Sequence, residues 1–259
     1  MSDRTGRGGG ADRLDGRAAI VTGAGRGLGE AIAIELAGRG ARVLLADIDA
    51  DAAELAAASI RDSGGAAESA ALDVADWAAV HQLVADFTAR AERLDILVNN
   101  AARSVARSFW EIDPAEWDDV MAVNLRGVVA GCRAAGAVMR EAKWGRIVNL
   151  ASLAGQQGGI NGGAHYAASK AGIVVLTKIV AAELAGSGVT VNAIAPAAIE
   201  GPIFDAIPAE RQEEIASSIP VGRAGRPEEV AATVAFLASE RAAFITGTTI
   251  DVNGGLFMR

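Results

Sequence analysis

The chain has 259 residues, 51% of them hydrophobic and 22% charged, with 32 acidic against 24 basic side chains and a formal charge of -8. That is apolar enough to close a sizeable core and excludes a chain disordered over most of its length, while the acidic balance is the wrong sign for a nucleic-acid or anionic-membrane binder. One cysteine, Cys132, and two histidines, His81 and His165, leave no internal disulfide and too few ligands for a metal cluster, which points to the reducing cytoplasm.

Residues 1–13 are polar and glycine-rich with no apolar core of the kind a secretory signal carries, so a loose tail is expected there and one domain over residues 14–259. From Arg17 onward, short apolar runs alternate with longer helical patterns. RAAIVTG predicts a strand, GLGEAIAIELAGRG a helix and ARVLLADID a second strand. A helical DADAAELAAASIRDSGG, a strand over Ala66 to Leu72, a helix over Asp76 to Arg90 and a strand ending at Asn99 follow. Further helices are expected over Pro114 to Glu141 and Tyr166 to Ala185, with strands over Arg146 to Leu150, Thr190 to Ala195 and Thr248 to Val252. Continuously apolar strands separated by helices predict a parallel sheet covered on both faces, a doubly wound Rossmann-type α/β fold. The stretch Ile147 to Ser169 lacks Asp, Glu, Lys and Arg, but its five glycines, two glutamines and two asparagines exclude a membrane span. Residues 197–226 break the rhythm with Pro202, Pro208 and Pro220 before a helix resumes at Pro227; beside the carboxyl ends of strands such an insertion reads as a substrate lid.

The first strand runs into Thr22-Gly23-Ala24-Gly25-Arg26-Gly27-Leu28-Gly29 and straight on into an apolar helix. Glycines let a backbone approach a diphosphate without Cβ collisions, and a helix N-terminus offers unpaired N–H groups and a partial positive charge. Asp47 closes the second strand twenty residues after Gly27, where a carboxylate can accept hydrogen bonds from both ribose hydroxyls of an adenosine and would repel a 2′-phosphate. NAD is the cofactor this predicts. Arg26 has two readings, a contact to such a phosphate or a solvated side chain.

This T-G-x-x-x-G-x-G loop is where the chain begins to resemble the short-chain dehydrogenase/reductase family, and other landmarks follow in order. They are Asp73-Val74, Asn99-Asn100-Ala101-Ala102, Asn124 in Val-Asn-Leu, Ser152, and Tyr166-x-x-x-Lys170. Gly222-Arg223, Arg226-Pro227-Glu228-Glu229-Val230 and Ile245-Thr246-Gly247 to Gly254-Gly255 extend the resemblance over residues 14–259. It implies that the nucleotide lies against Gly23, Arg26, Gly27, Leu28, Gly29, Asp47, Ile48, Asp73, Val74, Asn100, Ala101, Ala102, Tyr166, Lys170, Pro196, Ala197 and Ile199. It implies too that Asn124 holds a water linking Lys170 to solvent, and that the favoured assembly is a homotetramer. Ala102 and Ala197 stand where the family usually has glycine, and Gly201-Pro202 where a threonine often contacts the nicotinamide carboxamide.

Tyr166 is the only tyrosine, and it lies four residues before Lys170 on one helix face. To act as a general base near neutral pH, a phenol of pKa about 10 must move down by about 3, worth roughly 4 kcal/mol. An ammonium at about 4 Å supplies that order of energy at an effective dielectric near 20. Ser152 follows a strand on the ligand side and can donate to a substrate oxygen as charge develops there. Taken alone such a serine reads as a turn or cap, and the family's serine–tyrosine order makes it catalytic.

The expected activity is NAD(H)-dependent interconversion of a secondary alcohol and a ketone, with Asn124, Ser152, Tyr166 and Lys170 as the catalytic set and no metal. Ile203, Phe204, Ile207 and Ile219 in the lid suit a neutral, largely apolar substrate. An NADPH-dependent 3-oxoacyl-carrier-protein reductase is the alternative among enzymes, disfavoured by Asp47 and by a charge of -8 against an acidic carrier. A dinucleotide-sensing protein without turnover is the alternative outside them. The apolar helix Tyr166 to Ala185 and a small-residue surface of Val128, Val129, Cys132, Ala135 and Val138 are expected to meet across a twofold axis. His165 reads either as a neighbour of the substrate or as a first-turn helix residue, His81 as a solvated helix position, and Arg103 and Gln156-Gln157 as pocket lining or exposed surface.

Overall fold

A computed structural model describes residues 12–159 and 162–258, so nearly all of the expected tail lies outside them. Seven strands, β1 (Ala18–Thr22), β2 (Arg42–Asp47), β3 (Ala66–Ala71), β4 (Ile96–Asn99), β5 (Gly145–Leu150), β6 (Val189–Pro196) and β7 (Thr249–Val252), form one sheet in the order β3-β2-β1-β4-β5-β6-β7. Every pairing is parallel. β1, β4, β5 and β6 are buried at every residue, as their largely apolar composition requires of strands covered on both faces. β3, AAESAA, lies at the sheet edge and is only half-buried.

The helices are α1 (Gly27–Gly38), α2 (Ala50–Asp62), α3 (Trp77–Ala91), α4 (Pro114–Met121), α5 (Gly127–Ala142), α6 (Ala154–Gln157), α7 (Gly163–Leu184), α8 (Pro202–Asp205), α9 (Ala209–Ser218) and α10 (Pro227–Ala238). Asp49, Asp76 and Asp113 cap α2, α3 and α4 by accepting backbone N–H groups of the first turn. Glu92 and Lys143 end α3 and α5 in the left-handed conformation. On one face of the sheet Ile32 and Leu36 of α1 meet Val230 and Val234 of α10; on the other, Phe87 of α3, Met139 of α5 and Ile173 of α7 fill the second core.

The expected helix over Pro114 to Glu141 is not continuous, because residues Ala122–Arg126 form a π-helical turn between α4 and α5. One extra residue in a turn re-aims the side chains around it, and Asn124 sits in that turn, fully buried. The small-residue surface expected to meet a second subunit is corrected as well. Val128, Cys132 and Ala135 face inward into the second core, so they are not available to a partner. Ile219 of the expected lid is likewise buried, packed where a Cβ on Gly254 would strike it. His81 is half-buried, its ring stacked on Trp77 at 5.5 Å, rather than solvated. Among the described residues no helix is long and apolar enough to cross a membrane.

Candidate active site

Because all seven strands are parallel, their carboxyl ends share one edge of the sheet, and the chain order reverses there between β1 and β4. The glycine loop leaves β1 at that reversal. Gly23 has φ +63, and a Cβ on it would come within 2.7 Å of the Ala101 Cα; a Cβ on Gly29 would collide with the Gly23 carbonyl oxygen and lie 2.6 Å from Asn100 Nδ2. Asn100 Nδ2 donates to the carbonyls of Thr22 (3.0 Å) and Gly23 (2.9 Å), while Thr22 Oγ1 accepts from the N–H groups of Asn100 (3.1 Å) and Ala101 (3.2 Å). The loop is thus clamped to the segment after β4. α1 starts at Gly27 with no side-chain cap, so its first N–H groups face outward for an anion.

Asp47, half-buried at the end of β2, accepts from Gly25 N (2.9 Å) through Oδ2 and from Asp49 N (3.0 Å) through Oδ1. It shapes the loop, and each oxygen retains a lone pair. Ile48 beside it is exposed, and Arg26 is exposed, its side chain making no hydrogen bond or ion pair with a described residue. Asp73 accepts from Ala75 N at 2.9 Å after β3, and Val74 packs under Gly127. Pro196 ends β6 and its carbonyl receives Leu153 N; Ala197 N donates to Val252 O, and Ile199 bridges to Gly225. Neither Ala102 nor Ala197 has a positive φ, so the two departures from glycine cost no backbone strain. These groups fit a dinucleotide: the backbone cradle excludes side chains, and the uncapped helix end lies beside it.

Ser152 follows β5, and Tyr166 and Lys170 lie on α7. Burial pushes the Tyr166 phenol above its ordinary value of 10, and a hydrogen bond from the Ser152 hydroxyl brings it part of the way back. Lys170 is buried, its Nζ donates to the Leu150 carbonyl at 2.6 Å and sits 5.6 Å from the centre of the Tyr166 ring, and burial lowers it to about 8. The ammonium is anchored to a strand carbonyl, and in the protein without nucleotide burial is the largest influence on both groups.

Asn124 is fully used on one side: Oδ1 accepts from Arg103 N (2.7 Å), and Nδ2 donates to Arg103 O (2.9 Å) and Ser169 Oγ (3.1 Å). It pins the loop after β4 onto α7. Arg103 forms an ion pair with Asp119 at 2.7 Å. Gln156 Nε2 donates to Asp251 at 2.7 Å, and Gln157 is exposed. Phe204 and Ile207 are half-buried near the start of the expected lid. A buried chain that sequence reasoning missed runs beneath the site, from Asn99 Nδ2 to Asn149 Oδ1 (2.8 Å) and from Asn149 Nδ2 to Thr177 Oγ1 (3.0 Å). The two asparagines pair directly across β4 and β5, and Cys132 borders them with its thiol pushed up to about 12 by burial. Their equivalent positions at strand ends were the available signal.

A doubly wound parallel sheet with a glycine cradle, and a serine, tyrosine and lysine on its carboxyl edge, defines a nucleotide-dependent oxidoreductase. A family model described as enoyl-(acyl carrier protein) reductase matches residues 23–257, and the chain belongs to the short-chain dehydrogenase/reductase family. It is 39% identical over 95% of its length to the 3-oxoacyl-[acyl-carrier-protein] reductase FabG of Vibrio cholerae serotype O1, covering 99% of that protein. It is 42% identical to the 2-dehydro-3-deoxy-L-rhamnonate dehydrogenase (NAD(+)) of Sphingomonas sp. (strain SKA58), covering 95% of this chain and 97% of that one. A crystal structure from Beutenbergia cavernae, described as an NAD(P)-dependent gluconate 5-dehydrogenase with NADP at low occupancy, superposes with a TM-score of 0.90 at 40% identity, covering 95% and 99% of the two chains.

The clamp makes one prediction. Gly29→Ala places a methyl against the Gly23 carbonyl and Asn100, an overpacking of about 1–3 kcal/mol. Calorimetric titration with NAD should show at least a tenfold weaker complex and scanning calorimetry a lower Tm; unchanged affinity would contradict the cradle.

Proposed function

We propose that the protein interconverts a secondary alcohol and a ketone with NAD(H), and that Tyr166 is the general acid/base. The observation that carries this is the grouping of Ser152, Tyr166 and Lys170 on the carboxyl edge beside the glycine cradle. A bound nicotinamide dinucleotide supplies the hydride acceptor or donor. The residues that would hold it are the glycine loop, Asp47 toward the adenosine ribose, and Asn100 through the backbone it braces. Ser152 donates to the substrate oxygen, orienting it against Tyr166, which takes the hydroxyl proton in oxidation and returns it in reduction. Lys170 holds positive charge below the phenol, and the strand carbonyl of Leu150 keeps it in place. Asn124, whose Oδ1 keeps one lone pair, can hold a water on the path to solvent.

Residues 197–226 with α8 and α9 serve as the lid over this edge. The substrate is small and neutral: the two arginines in the loop after β4, Arg103 and Arg107, are both paired to acids, Asp119 and Glu116, and neither is free for a substrate carboxylate. The FabG likeness supports a second reading, a carrier-protein-linked 3-oxoacyl reductase using NADPH. The charge of -8 opposes docking of an acidic carrier, and Asp47 opposes the extra phosphate. Val175 and Ile179, four residues apart on α7, are exposed apolar side chains that support self-association through that helix, in a cytoplasmic homotetramer.

Tyr166→Phe should keep the fold and the nucleotide affinity but cut turnover at least roughly a hundredfold, read by nicotinamide absorbance across a panel of secondary alcohols and ketones. Near-normal turnover would sink the mechanism. For the cofactor, a carboxylate about 4 Å from a 2′-phosphate costs on the order of 1 to 4 kcal/mol. NAD should win in kcat/KM by at least roughly tenfold, about 1.4 kcal/mol, and Asp47→Ala should narrow the gap. Equal use of the two cofactors, or preference for NADP, would show that Arg26 outweighs Asp47.

A further inference from the structure

His165, the residue just before Tyr166, is fully buried with both ring nitrogens partnered. The backbone N–H of Tyr166 meets its Nδ1 at 2.9 Å, and an N–H can only donate, so Nδ1 carries no proton. The ring proton is therefore on Nε2, which donates to Glu116 Oε1 at 3.3 Å. Arg107 closes the chain, its Nε and Nη2 reaching Glu116 Oε1 and Oε2 at 3.2 and 2.8 Å. The Arg107 guanidinium, and to a lesser extent the His165 hydrogen bond, hold the Glu116 carboxyl below the usual carboxylate range, so it stays an acceptor.

The three residues come from three elements: the loop after β4, the first turn of α4, and the first turn of α7. α7 begins at Gly163 and its N-cap, Gly162, has no side chain to cap it, so the imidazole is the side-chain acceptor in its first turn. The approach is close. Gly163 has φ +74, and a Cβ there would stand 2.6 Å from His165 Cε1 and 2.9 Å from the Val105 carbonyl oxygen. Trp117 of α4 covers the ring at 6.5 Å between centroids. The same loop is pinned a second time by Asn124 at Arg103.

We infer that His165 is a positioning residue: with Glu116 and Arg107 it fixes the backbone from which Tyr166 projects and couples it to the loop after β4, which flanks the catalytic groups. The inference rests on Tyr166 being the acid/base group. A misplacement of about 1 Å at a reacting group costs up to roughly a hundredfold in rate, which makes a single hydrogen bond at the base of this side chain worth testing.

The test uses the full-length protein with NAD and the best alcohol from the substrate panel. His165→Ala should lower kcat roughly 10- to 100-fold while NAD affinity by calorimetric titration stays within about twofold. In His165→Asn, Oδ1 occupies the place of Nδ1 and can still accept from Tyr166 N–H, so it should recover most of kcat; His165→Gln should not. Glu116→Ala, which leaves the imidazole in place but removes its acceptor, should lower kcat in the same direction and remains informative where His165→Ala fails to fold. Wild-type kcat in His165→Ala or Glu116→Ala overturns the inference, as does equal impairment of the Asn and Ala variants, which would mark mere packing. A Tyr166→Phe control separates the two levels. If that variant is inactive while His165→Ala is normal, only the positioning role falls; if Tyr166→Phe stays active, the acid/base reading falls first.

Discussion

A parallel sheet cannot close its strands with tight hairpins; each strand has to be followed by a helix that returns to the opposite edge, so every strand ends on the same side. In this chain that side collects the glycine loop after β1, Asp47 at the end of β2, Asn99 at the end of β4 with Asn100 after it, Ser152 after β5 and Pro196 at the end of β6. The order reversal between β1 and β4 opens a crevice there, and Thr22 and Asn100 stitch its two walls with four hydrogen bonds. Tyr166 and Lys170 arrive from α7, packed against β5 and β6 on the face of the sheet that also holds α3 and α5. The placement of chemistry therefore follows from strand direction more than from any single motif.

Burial sets the character of the pair on α7. Desolvation disfavours whichever form carries charge, so it raises the phenol and lowers the ammonium together, and in the protein by itself Lys170 gives up its proton before Tyr166. One of the three ammonium donors is given to the Leu150 carbonyl, which fixes where Nζ stands beneath the phenol ring. Two contributions favour the phenolate. Ser152 already donates to the phenol oxygen, and an oxidised nicotinamide ring would add positive charge on the reactive side.

The strands were legible because β1, β4, β5 and β6 are mostly apolar runs with only a few polar residues in them, and the glycine loop because strand, turn and helix coincide within a dozen residues. The candidate site residues could be proposed for the same reason: they sit at strand ends or at helical spacing, which local sequence encodes. What local sequence does not encode is which face of a helix a neighbour covers. Val128, Cys132 and Ala135 form a small-residue stripe equally suited to a core or a subunit interface, and the packing of α5 on the sheet decided for the core. His165 shows the same limit. Its spacing from Tyr166 says nothing of Glu116, 49 positions away in the chain, or of Arg107 beyond it. The π-helical turn at Asn124 was hidden too, because one extra residue per turn leaves the polar and apolar pattern almost unchanged.

Tyr166 is the only tyrosine of the chain, so the control of its proton by charge brought to the site can be read directly. Titration of the near-ultraviolet phenolate band reports that one side chain. The expected midpoint lies above 10 for the protein alone and moves clearly downward when oxidised NAD is bound. A midpoint at or below 10 without nucleotide, or one that NAD leaves in place, would contradict it.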